Sequence, residues 1–83
     1  MSDIFRASRV QSTLGDAGHS TIYDWVARQL LTPPIKIGVR ASGWPQHEIE
    51  AIKAARIAGK SDDEIRRLVA WLVAQRKREA APV

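Results

Sequence analysis

Pro33 and Pro34 stand side by side near the middle of the chain, and no other pair of residues restricts it as much. Each proline lacks an amide hydrogen and holds φ at about −65°, and each disfavours helix in the residue before it. A helix arriving from the N-terminal side must end before Pro33, and the chain must leave it extended. The next residues, Ile35-Lys36-Ile37, alternate apolar and polar side chains as a half-exposed strand does. Gly38 to Ser42 then supply a turn, and Gly43-Trp44 begin a return strand. Two strands this short do not stand alone, so the hairpin has to lean on helices.

The arriving helix is predicted from Ser20 to about Leu30, with the Ser20 hydroxyl as its cap. At about 100° per residue, Ile22, Trp25, Val26, Gln29 and Leu30 fall within one third of the circle and form the face to be buried. Ser20, Thr21, Asp24, Ala27 and Arg28 lie opposite, with Tyr23 at the edge. Upstream, Ser8 and Gln11 have capping-box spacing, predicting a short helix from Arg9 to Leu14 that stops at Gly15. Ile4 and Phe5 before it read as an extended arm packed on the core.

Downstream, Trp44-Pro45 marks a helix start with Ile49, Ile52 and Ala55 or Arg56 at helical spacing, and Gly59 is its stop. Ser61 to Glu64 form a second capping box that opens a last helix over about 62–79. Pairs Asp62–Arg66 and Asp63–Arg67 are expected along it, and Arg76, Lys77 and Arg78 suit the negative end of its dipole.

At 83 residues the chain reads as one small domain, burying only about 60% of its unfolded surface. That leaves no room for both a core and a deep pocket. It has no cysteine, and its two histidines, His19 and His47, lie 28 positions apart, so neither a metal nor another cofactor is expected. No nucleophile with a paired base and no phosphate-cradling glycine loop is visible, so an enzyme is not expected. The N-terminal segment lacks the apolar run of a signal peptide and no stretch suits a membrane span, which leads to the expectation of a cytoplasmic protein without a membrane partner. Thirteen basic and nine acidic residues give a net charge of +4, which favours polyanion partners without specifying one.

Two helices, a glycine-containing turn, a hairpin and a further helix follow the order of a winged helix-turn-helix, in which the second helix enters the DNA major groove. The expected fold is thus mainly α: a small winged helix-turn-helix over residues 1–59, with a short two-stranded hairpin. Residues 60–83 form a C-terminal helix that packs on the domain, offers an edge for dimerisation and ends in a short disordered tail.

The run STIYDWVARQLLTPPIKIGVRASGW, followed by HEIEAI, resembles the AlpA-type prophage regulators, small relatives of the MerR and excisionase DNA-binding domains. In that family a Ser-Thr-Ile-Tyr opening of the recognition helix precedes a proline-containing link, a Lys-x-Gly-x-Arg wing and a Gly-Trp pair. Here these are Ser20 to Tyr23, Pro33-Pro34, Lys36 to Arg40 and Gly43-Trp44, within a resemblance spanning roughly residues 4–57. Two features depart from the pattern: the interval from Gly15 to Ser20 is one residue longer than usual, and Asp24 stands where a basic residue is common. The resemblance implies a sequence-specific DNA-binding regulator of phage or mobile-element type, with an excisionase-like factor that bends DNA beside a recombinase as the alternative.

The expected DNA contacts are His19, Ser20, Thr21, Tyr23, Asp24 and Arg28 on the second helix, Lys36 and Arg40 on the wing, and Arg9, with Arg6, near the first helix. Each has a plainer reading: Ser20 as a cap, Tyr23 as a cover for the core, Arg40 as part of a solvated turn. Asp24 reads a cytosine amino group, pairs with Arg28 four residues on, or marks a shift in docking. Ile65, Leu68, Val69, Leu72 and Val73 make a broad apolar band on the last helix with Trp71 turned away from it, and Leu68, Trp71 and Leu72 are the expected dimer contacts. The same helix holding a different protein is the reading from another functional class.

Overall fold

The computed structural model describes residues 3–79. In chain order these form β1 (Ile4–Phe5), α1 (Ala7–Thr13), α2 (His19–Ala27), β2 (Ile35–Gly38), β3 (Ala41–Pro45), α3 (Gln46–Ile57) and α4 (Asp62–Glu79). The tail expected to be disordered lies beyond the described residues. No helix among them is long and apolar enough to cross a membrane.

The extended arm is a strand. β1 pairs antiparallel with β3, Ile4 opposite Pro45 and Phe5 opposite Trp44, so the expected two-stranded hairpin is a three-stranded sheet in the order β1-β3-β2. Gly43 makes the close approach possible. A Cβ placed there would sit 2.5 Å from Ile4 Cγ2 and 2.9 Å from the Phe5 carbonyl oxygen. Between β2 and β3 the register shifts from Lys36 opposite Ser42 to Gly38 opposite Ala41. This bulge leaves Ile37 without an opposite residue, breaking the alternation and turning Ile37 outward to 43% exposure.

The core is one cluster drawn from every helix and from the sheet. Val10, Ile22, Leu31, Trp44, Ile49 and Ile52 have no exposed surface, and Ile65, Val69 and Leu72 close it from α4. Trp44 is central: its ring is fully buried and its Nε1–H donates to the Thr32 carbonyl at 2.7 Å. That bond ties β3 to the segment that the prolines hold open.

Several local expectations are corrected. α1 begins at Ala7 with no side-chain cap, so Ser8 is already inside the helix, and the Gln11 amide donates instead to Ala17 O at 3.1 Å. α2 begins at His19 with Gly18 as N-cap, so Ser20 does not cap it. It also ends at Ala27, short of Leu30. Gln29 takes φ 63°, its amide donates to Val26 O, and the Leu30 amide donates to Trp25 O, which is a Schellman ending with glutamine in the left-handed position. Pro45 caps α3 from the end of β3 and does not open the helix as its first residue.

Along α4 the capping box forms as expected, but Asp63 pairs with Arg66 at 3.2 Å, three residues on, instead of with Arg67. Arg66 also donates through Nε to the Arg28 carbonyl. Arg76 points inward: its guanidinium donates to both carboxylate oxygens of the fully buried Glu48, at 2.7 and 2.6 Å, and to the Pro33 carbonyl at 2.7 Å.

Candidate nucleic-acid interface

The sequence divides α2 into an anchor and an outward face, and both halves are positioned by the packing just described. Ile22 has no exposed surface, and Trp25 and Val26 are half-buried against the core. Trp25 is also covered by Arg56, whose guanidinium carbon lies 4.9 Å from the ring centroid. This anchor turns His19, Ser20, Thr21, Asp24 and Arg28 to the exposed side.

Within that outward face the side chains are partly engaged with one another. Asp24 Oδ2 and Arg28 Nε are 3.2 Å apart, both on the surface, so the acid has a cation one turn away. Such an exposed pair contributes little to stability, about 0.3–0.5 kcal/mol. Its consequence is orientation: it holds a donor fork and an acceptor side by side. The His19 and Tyr23 rings meet at 4.8 Å between centroids, and Tyr23 meets the buried Trp44 edge-on at 6.0 Å. Tyr23, at 38% exposure, therefore both covers the core and remains reachable. Through Trp44 it brings the edge of α2 against the base of the hairpin.

At the N-terminus of α2, the glycine cap supplies no side-chain oxygen to the first-turn amides. Such amides attract anions, since the helix dipole and the N–H groups point the same way.

On the hairpin, Lys36 and Arg40 are both exposed. Val39 beside Arg40 at the turn is 91% exposed, an apolar tip between two cations that the sequence reading had not singled out. Arg9 is exposed on α1, where its guanidinium lies 5.1 Å from the Phe5 ring centroid. Together with Arg6 and Ser8 it borders an open depression of about 520 Å³ that reaches Gln46. Arg9 thus lies on the side of the molecule that carries β1.

The expected dimer contacts separate. Leu72 is 2% exposed and belongs to the core of its own chain, because it follows Ile65 and Val69 at i, i+4, i+7 spacing on the buried line. It is not available to a second subunit. Leu68 is half-buried, and Trp71 is open at 58%. Arg76 leaves the basic end of α4 in the same way, consumed by Glu48 and Pro33. Glu48 gave no sequence signal of burial, since it sits in the first turn of a helix where acids are ordinarily solvated.

Among the described residues no group of three or more histidines, aspartates and glutamates is placed to hold a metal ion. Comparison with protein-family models, with curated proteins and with solved structures finds no match to the chain.

Proposed function

We propose that the chain is a winged helix-turn-helix of the AlpA type that binds double-stranded DNA and regulates transcription of a phage or mobile element. In this reading α2 is the recognition helix, the β2–β3 hairpin is the wing, and activity is docking without chemistry. The observation that supports it best is the division of α2. One side is sealed by Ile22, while His19, Ser20, Thr21, Asp24 and Arg28 stand free of the core, and a hairpin with exposed Lys36 and Arg40 follows.

The roles differ by chemistry. Arg9, Lys36 and Arg40, with the uncapped amides of α2, supply phosphate contacts that fix orientation and carry no sequence information. His19, Ser20 and the Tyr23 hydroxyl flank them. Thr21, Asp24 and Arg28 read base edges. Once in the groove, Arg28 can reach guanine acceptors and Asp24 can accept from a cytosine amino group, so one ion pair addresses both members of a G·C pair.

Gel-shift titration against salt on DNA fragments from upstream of its own and neighbouring genes tests this. Affinity should fall steeply with salt. Arg40→Ala should weaken binding to all sequences alike and reduce the log–log salt slope by about 1, whereas Thr21→Ala or Asp24→Asn should change sequence preference. Affinity that is weak and salt-independent for every fragment overturns the proposal.

The apolar Val39 at the wing tip favours a second reading of the same surface, an excisionase-like factor acting beside a recombinase, because apolar side chains wedged between base steps bend DNA. Several contiguous protected sites with bending support that role, and one palindromic site supports the regulator.

A further inference from the structure

The last helix carries a surface that the proposed DNA face does not use. Ile65, Val69 and Leu72 lie on its buried line. A second line, turned away from the first, runs through Glu64, Leu68, Trp71, Gln75 and Arg78, whose alternating spacing of four and three is the seam spacing of two packed helices. Trp71 at its centre is 58% exposed, Leu68 and Gln75 are half-buried, and Glu64 and Arg78 are exposed, as are the flanking Arg67 and Ala74. An indole this open on a rigid helix leaves a large apolar area in water.

The charges around it identify what covers it. α4 carries Asp62, Asp63 and Glu64 in its first turn and Lys77 and Arg78 in its last, with Arg76 withdrawn into the core. Trp71 lies midway between these ends. A two-fold axis through Trp71 sets α4 antiparallel to a copy of itself, and each residue before Trp71 then faces the residue equally far after it. Glu64, seven before, meets the partner's Arg78, and by symmetry the pairing occurs twice. Leu68, three before, meets the partner's Ala74. A parallel pair would also stack Trp71 on its copy, but it would set Glu64 against Glu64 and Arg78 against Arg78, which repel.

We infer that the α4 face centred on Trp71 is a self-association surface on which a second copy of the chain docks antiparallel. A foreign partner would require no symmetry in the face, whereas opposite charges equally spaced about an exposed tryptophan are what a two-fold contact uses. This inference stands on α4 alone and holds whether or not the chain binds DNA.

Sedimentation of the full chain tests it. A concentration-dependent dimer is expected. Trp71→Ala should weaken it by about tenfold or more with an unchanged helical circular-dichroism spectrum, as an exposed central anchor does. Arg78→Glu should weaken it as well, while Lys77→Glu, which changes the same helix end off the seam, should leave it intact. The absence of cysteine allows single spin labels to fix the direction. At 1.5 Å per residue, labels at Ala74→Cys should lie about 9 Å apart along the axis and labels at Asp62→Cys about 27 Å apart. A chain that stays monomeric, a dimer indifferent to Trp71→Ala, or labels at both positions equally close would each overturn the inference.

Discussion

Glu64 shows how one residue can be read from sequence and still depend on its surroundings. Its amide donates to Ser61 Oγ and its carboxylate accepts from the Ser61 amide, both at 3.2 Å, with Lys60 Nζ 3.7 Å from the other oxygen. The hydrogen bond from the Ser61 backbone amide and then that from the Ser61 side chain hold the carboxyl below its usual range, against a smaller opposing effect of desolvation, and Lys60 adds a lesser pull in the same downward direction. A carboxyl lowered in the folded state stabilises fully above its unfolded value, and that contribution is lost as pH falls through the lowered folded value. Urea midpoints measured across acidic pH should therefore decline more steeply for the native chain than for Glu64→Gln. Ser61→Ala should cost about 1 kcal/mol at neutral pH. Ser8 and Gln11 have the same spacing and make no such box, because the chain leaves β1 one residue before Ala7 and the helix has started by Ser8. The side-chain pattern was legible at both places; the point at which a strand releases the chain is a tertiary matter.

At the scale of elements, some boundaries follow from backbone chemistry visible in the sequence, and the others arise where a residue without that signature does the same work or a segment is too short to show a period. α3 ends with Gly59 at φ 78°, its amide bonded to Arg56 O and the Lys60 amide to Ala55 O, as the glycine predicted. α2 ends in the same geometry with Gln29 in place of glycine. Leu30, apolar at helical spacing, has the sequence signature of a last helical core residue. It is in fact buried from outside the helix, at the position after the left-handed residue, where an apolar side chain commonly packs back on the final turn. The left-handed conformation costs a non-glycine residue about 1 kcal/mol. Gln29→Gly should accordingly raise stability by about that amount and Gly59→Ala lower it similarly, as thermal or urea unfolding would read. β1 escaped prediction as a strand because a two-residue strand has no period to detect. Gly43→Ala should destabilise by about 1–3 kcal/mol, since the added methyl meets the Phe5 backbone as well as the Cβ-branched methyl of Ile4.

For the whole molecule, the outward face of α2 and the hairpin could be placed from the sequence, but what holds them in mutual register could not. Beside the Tyr23–Trp44 contact and the Trp44–Thr32 bond, part of that task falls to Arg76, 28 residues from Glu48 and 43 from Pro33, separations at which no local pattern carries information. Pro33 precedes β2 and Glu48 follows β3, so one guanidinium grips both legs of the hairpin from the last helix. Removing one partner of a buried ion pair strands the other, and Glu48 has no exposed surface to relieve it. Arg76→Ala should cost about 3–5 kcal/mol in urea unfolding. If buried charge alone sets that cost, Arg76→Met combined with Glu48→Leu should recover most of it, because a packed apolar pair avoids the desolvation of two ions. The Pro33 carbonyl would still lack its donor, and hydrogen exchange can separate the two effects. Amides of β2 should exchange faster than wild type in the double variant even when global stability is restored, marking the hairpin as the element that Arg76 positions. Equal protection of β2 in both proteins would reduce Arg76 to a contributor to stability alone.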